Sequence, residues 1–219
     1  MPGCSLSMDG YIQLTYFIDA PGWPCVKGDP SHLLSTWQRW VDAFRPDVVL
    51  YVARGDLLDQ EVKGRWTYVG HRYFNSWFLS RLRAGISVLS SRGAKVVLMT
   101  VPVSSQNTLR ARPEDSPRRV WRDARLLRVS AVGHGDVSVY DLSALLTPRL
   151  TYRSSAQGIP LRCVDGVHVT AEAGMIVGAD LYPRLWALAG SSRVAGGGGW
   201  VPGGFPVSTP RWWVRLHCT

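Results

Sequence analysis

Residues 73–102, YFNSWFLSRLRAGISVLSSRGAKVVLMTVP, decide the fold. Phe74, Trp77, Phe78, Leu82, Ile86 and Leu89 recur at three- and four-residue steps, which puts them on one face of a helix. Gly93 marks the stop, because the residue past a helix end often takes a left-handed conformation that glycine adopts without a Cβ penalty. The run at 95–101 is continuously apolar and valine-rich, the pattern of a strand buried on both faces. A helix leading straight into such a strand is one unit of a parallel sheet, since parallel neighbours need a crossover.

The same unit stands upstream. Leu33, Leu34, Trp37, Trp40, Val41 and Phe44 recur at helical spacing, Pro46 ends the run, and DVVLYVA at 47–53 follows as a strand. A third pass runs from the arginine-rich SPRRVWRDARLLRV at 116–129 through GHGD at 133–136 into VSVYDLS at 137–143. A last helix is expected over about 171–189. Alternation of this kind predicts an α/β fold, a three-layer α/β/α sandwich on a parallel sheet, with residues 1–189 as its single domain. Past Gly190 the chain has four consecutive glycines, several tryptophans and no period, so 190–219 reads as a flexible tail.

Composition agrees with one packed domain: 46% of the 219 residues are hydrophobic and only 19% are charged, which excludes a chain disordered throughout. No apolar run reaches the roughly 18–20 residues of a membrane span, and the first residues lack the basic and apolar regions of an export signal. The formal charge of +9 comes almost wholly from arginine, Lys27, Lys63 and Lys95 being the only lysines. Arg118, Arg122 and Arg125 fall on one side of a helix whose Val120, Trp121, Ala124 and Leu127 are available for packing. A solvated face accounts for them, and no nucleic-acid partner is expected. The cysteines at 4, 25, 163 and 218 form no CxxC pair, so neither a metal site nor a cofactor is expected. Cys4 and Cys25 flank a Gly/Pro-rich segment and are either bridged or buried as free thiols.

In parallel sheets the working residues gather on loops beyond the carboxyl ends of the strands. Here those loops are 54–66, 103–116 and LRCVDGVHVT at 161–170. The last holds Asp165 and His168, three residues apart across Gly166. An imidazole works as a general base only when its tautomer is held, and a carboxylate on its second nitrogen does the holding. The positive end of the helix that follows disfavours the imidazolium and keeps the base neutral.

The Asp-x-x-His just ahead of the last helix resembles the final motif of the SGNH (GDSL-like) hydrolase superfamily, and in particular the SGNH domain fused to membrane acyltransferases that modify cell-surface glycans. Gly3 and Cys4, Trp37 and Trp40 with Val41 ahead of PDVVL at 46–50, GRW at 64–66 and RGAKVVLMTVP at 92–102 are similar to further parts of that domain. The likeness covers about residues 3–189. It implies acyl transfer or ester hydrolysis on a glycan or an acylated carbohydrate, with Asp165 and His168 as two members of a triad. It also implies an acyl donor supplied by a membrane acyltransferase domain, and a place on the extracytoplasmic face of the membrane or in the cell envelope. A bridge between Cys4 and Cys25 would suit that compartment.

Two features depart from the family. The sequence contains no Gly-Asp-Ser, the motif that carries the nucleophile after the first strand, so that strand is expected to be missing and the chain inactive as it stands. Ser5 and Ser7 read as loop residues. The substrate-side block is matched only by ARGD at 53–56, which makes Arg54, Gly55 and Asp56, with Gly3, the candidates around an oxyanion; Arg54 would be a cationic donor. The alternative is a non-catalytic binding or remnant domain.

Overall fold

The computed structural model describes residues 30–52, 55–105 and 113–193, together with the two short strands β1 (Ile12–Gln13) and β2 (Ile18–Asp19). Helix α1 (Pro30–Phe44) leads into β3 (Val48–Val52), and α2 (Arg72–Leu89) into β6 (Lys95–Met99). Helix α3 (Pro117–Ala131) leads in the same way into β7 (Val137–Tyr140). The three strands form a parallel sheet in the order β3-β6-β7, with Val49 opposite Val96 and Val97 opposite Ser138.

Strand alternation sends the two faces of β6 into different cores. Val96 and Leu98 join Leu33, Trp37 and Val41 of α1, Phe74, Phe78, Leu82 and Ile86 of α2, and Val120 and Leu127 of α3. Val97 and Met99 pack instead with Tyr140 and with Leu181 of the last helix, α5 (Ala171–Arg193). Helices therefore cover both faces. The α1 and α2 stripes pack as their spacing predicts, except that Phe44, at the last turn of α1 and beyond the reach of the sheet, is 65% exposed. In α3 the inward stripe is Val120, Ala124 and Leu127, while Trp121, one residue off it, is 48% exposed and takes no part in the packing expected of it.

The segment 54–66 reads in sequence as a loop; its described residues, 55–66, are structured. A short 3-10 turn (Gly55–Leu57) precedes a hairpin of β4 (Asp59–Val62) and β5 (Arg65–Thr67). Its two-residue turn places Lys63 at φ 51° and Gly64 at φ 73°, the left-handed pair that matches strand twist. The hairpin belongs to an antiparallel sheet ordered β2-β1-β4-β5. The inward residues of β4 are Gln60 and Val62 and that of β5 is Thr67, so the buried face is largely polar and no hydrophobic alternation betrays the strands.

Arg119 of α3 fastens this hairpin to the body. Its guanidinium donates to the Leu57 carbonyl at 2.9 Å, pairs with Asp59 at 2.6 Å and lies 4.8 Å from the centre of the Tyr68 ring. Helix α5 continues past residue 189 to Arg193, beyond the limit set for the domain from sequence. Residues 194–219, the remainder of the expected tail, lie outside the described residues. Among the described residues no helix is long and apolar enough to cross a membrane.

Candidate active site

The loop carrying Asp165 and His168 is closed at its neck. Arg162 and Val169 form an antiparallel bridge, the Cys163 N–H donates to the His168 carbonyl at 2.9 Å, and the Thr170 N–H donates to the Leu161 carbonyl at 3.3 Å. Within this noose the Gly166 N–H donates to the Cys163 carbonyl at 2.9 Å, and Gly166 takes φ 68°. Thr170 then starts α5: its hydroxyl accepts the Ala173 N–H at 3.1 Å and donates to the Pro160 carbonyl at 2.6 Å.

One carboxylate oxygen of Asp165 accepts the backbone N–H groups of Val167 and His168 at 2.9 and 3.0 Å. The other meets His168 Nδ1 in a close hydrogen bond. Chain geometry thus aims the carboxylate before the imidazole engages it. Burial works to raise the Asp165 carboxyl, but the bonds from His168 and from the two N–H groups outweigh it and hold it below the ordinary carboxylate range. The side chains of His168 and Asp165 are 42% and 39% exposed, so the pair lies at the surface.

The loop is tied to the segment that follows β6. Ser105 N–H donates to the Gly166 carbonyl at 3.0 Å, and the buried Arg162 guanidinium approaches the Val103 carbonyl at 3.4 Å. Val103 N–H in turn donates to the Thr147 hydroxyl at 3.2 Å, just past the short helix α4 (Leu142–Leu146), which follows β7. Asp165 and His168 therefore stand beyond the carboxyl end of the parallel sheet, where strand polarity places such groups.

Among the described candidates, Asp56 does not join them. Asp56 turns inward: it is 1% exposed and accepts the Tyr51 hydroxyl at 3.0 Å. Its neighbour there is Asp123 of α3, which burial and the charge of Asp56 push well above the ordinary carboxylate range. Asp56 thus belongs to a buried polar layer and not to a substrate surface. Gly55 opens the 3-10 turn just before it. Arg54, Gly3, Cys4 and Cys25 lie outside the described residues, as do Ser5 and Ser7.

Sequence reading missed Cys163. It is disulfide-bonded, two residues before Asp165, so a covalent link holds the neck of the loop. Its one available signal was proximity to the Asp-x-x-His motif. Among the described residues no group of three or more His, Cys, Asp or Glu side chains converges as a metal site. No family model matches the chain, and no curated protein matches it.

Proposed function

We propose that this is an SGNH-type domain for carbohydrate O-acyl transfer or acyl-ester hydrolysis, in which His168 acts as general base and Asp165 holds its tautomer. One observation carries the reading: the Asp165 carboxylate sits on His168 Nδ1 at the surface, on a loop braced against the carboxyl end of a parallel sheet. In the reaction a serine hydroxyl attacks the acyl carbonyl, and Nε2 takes its proton and passes it to the departing alcohol. Water or a glycan hydroxyl, deprotonated by the same Nε2, then attacks the acyl-serine, and the proton returns to the serine as the acid or the new ester leaves. The substrate is an acylated carbohydrate in hydrolysis, or a glycan acceptor in transfer, where a membrane acyltransferase domain supplies the acyl group. That chemistry belongs to the extracytoplasmic face, and the disulfide at Cys163 fits an oxidising compartment.

The nucleophile is the part not supplied by a Gly-Asp-Ser in this sequence. Among the described residues β3 is an edge strand of the parallel sheet, and Leu50 and Val52 on it are 40% and 51% exposed. A further strand ending in Gly-Asp-Ser would pair along that edge. The test is to assay residues 1–219 on aryl acetates and acetylated sugars, alone and with such a strand fused ahead of Met1. The expected result is no turnover by 1–219 above its His168→Ala variant, and His168-dependent turnover, higher by at least about a thousandfold, in the fusion. Turnover by the fusion that ignores His168→Ala would reject the base role. A fusion that folds and stays inactive would favour the second reading, a non-catalytic binding domain, which the missing motif already favours.

A further inference from the structure

Helices α3 and α4 enclose a second cleft on the same rim, about 280 Å³ in volume, with Trp121, Arg128, Asp141, Ser143, Thr147 and Arg149 among its walls. That volume is at the low end of the roughly 300–1,000 Å³ of small-molecule sites and suits a single ring-sized group. Three features give it a definite chemistry. The Trp121 indole, left out of the core, presents a half-exposed aromatic surface, with the Arg125 guanidinium 5.8 Å from its ring centre. Arg128 pairs with Asp141, whose carboxylate also accepts the Thr100 hydroxyl at 2.9 Å and the Ala144 N–H at 3.0 Å.

Arg149, in contrast, has no hydrogen-bond or ion-pair partner for its guanidinium among the described residues, although it lines the cleft. Its backbone is left-handed (φ 56°, ψ 27°), and so is that of Leu150 (φ 57°). Two successive non-glycine residues in that region are strained, and such strain persists only where the surroundings enforce it. Here Leu150 is anchored, packed against the main core and bonded through its N–H to the Thr147 carbonyl at 2.9 Å, and the reversal leaves Arg149 at the cleft. The walls carry two guanidinium groups and one carboxylate, a net positive charge.

We infer that this cleft binds an anionic pyranose, a sugar ring bearing a carboxylate or phosphate. The ring's C–H face lies on Trp121, its anionic group meets Arg149, and one hydroxyl donates to the remaining acceptor position of Asp141. The choice of a sugar over another anionic ring rests on the carbohydrate reading of Asp165 and His168. The cleft is also joined to that site through the Thr147–Val103 hydrogen bond and the Ser105–Gly166 bond.

The test reads binding alone, by calorimetry and saturation-transfer NMR on residues 1–219 with glucuronate, glucose 6-phosphate, glucose and inorganic phosphate. The expected result is saturable binding of at least one anionic sugar, with glucose and inorganic phosphate each at least about tenfold weaker. Glucuronate and glucose 6-phosphate together tell which anionic group is preferred. Arg149→Gln and Trp121→Ala should each weaken that binding about tenfold or more, and Arg149→Gln, at an exposed position, should keep the parent's thermal midpoint. His168→Ala should leave it unchanged, which separates this inference from the esterase reading. Failure of both anionic sugars to bind, inorganic phosphate binding as tightly as they do, or binding indifferent to both variants would overturn it.

Discussion

Ser105 and Gly166 touch backbone to backbone: the Ser105 N–H donates to the Gly166 carbonyl at 3.0 Å, and a Cβ built on Gly166 would stand 2.2 Å from the Ser105 Cβ. This contact joins the segment after β6 to the loop of Asp165 and His168. It exists only because residue 166 has no side chain and accepts φ 68°. Gly166→Ala should therefore destabilise the fold by about 1–3 kcal/mol through backbone strain alone, with the collision on Ser105 adding to it. Urea denaturation monitored by tryptophan fluorescence measures the loss, and amide hydrogen exchange at Ser105 should rise. A variant as stable as the parent would mean that the two loops are not in contact.

The Asp165 carboxyl is held below its ordinary range in the folded state. A lowered carboxyl binds its proton less readily when folded than when unfolded, so it adds stability above the unfolded value of about 3.9 and loses it as pH falls through the lower folded value. The stability that the Asp165 carboxylate adds over Asp165→Asn should then shrink as pH falls below about 4. NMR titration of the Asp165 carboxyl carbon checks the direction independently; a midpoint at or above the unfolded value would remove the hydrogen-bonded pair from consideration.

Asp123 behaves in the opposite sense. Its carboxyl is 2% exposed, has one oxygen without a hydrogen-bond partner and faces the charge of Asp56, so its folded-state value is raised. A raised carboxyl favours the folded state when protonated, and that stability is lost as pH climbs from about 3.9 through the folded value. Asp123→Asn keeps the shape and cannot ionise. It should match the parent near pH 3.5 and exceed it at pH 8, by on the order of 1 kcal/mol or more, one pKa unit being about 1.4 kcal/mol. Paired thermal melts at the two pH values suffice, and a variant less stable at pH 8 would mean that Asp123 is ionised and partnered.

Much of this was legible in the order of residues. The repeated helical stripes at 33–44 and 74–89, each followed by an apolar run, determined α1, α2, β3 and β6 and the parallel sheet, because periodicity reports which face is buried. The Asp165–His168 contact was legible too, since a three-residue turn through glycine is a local event. Tertiary structure alone decided the rest. Gln60 and Asp56 are polar residues in buried places, and only the arrival of Tyr51 and the hairpin's partner strands puts them there. Trp121 looked like core and is half exposed, because α3 meets the sheet along the neighbouring stripe. The disulfide of Cys163 and the seating of the His168 loop on Ser105 depend on contacts between distant parts of the chain. Local pattern carries burial and turn chemistry; it does not carry which distant segment supplies the partner, and that is where the polar layer, the braced loop and the α3–α4 cleft were decided.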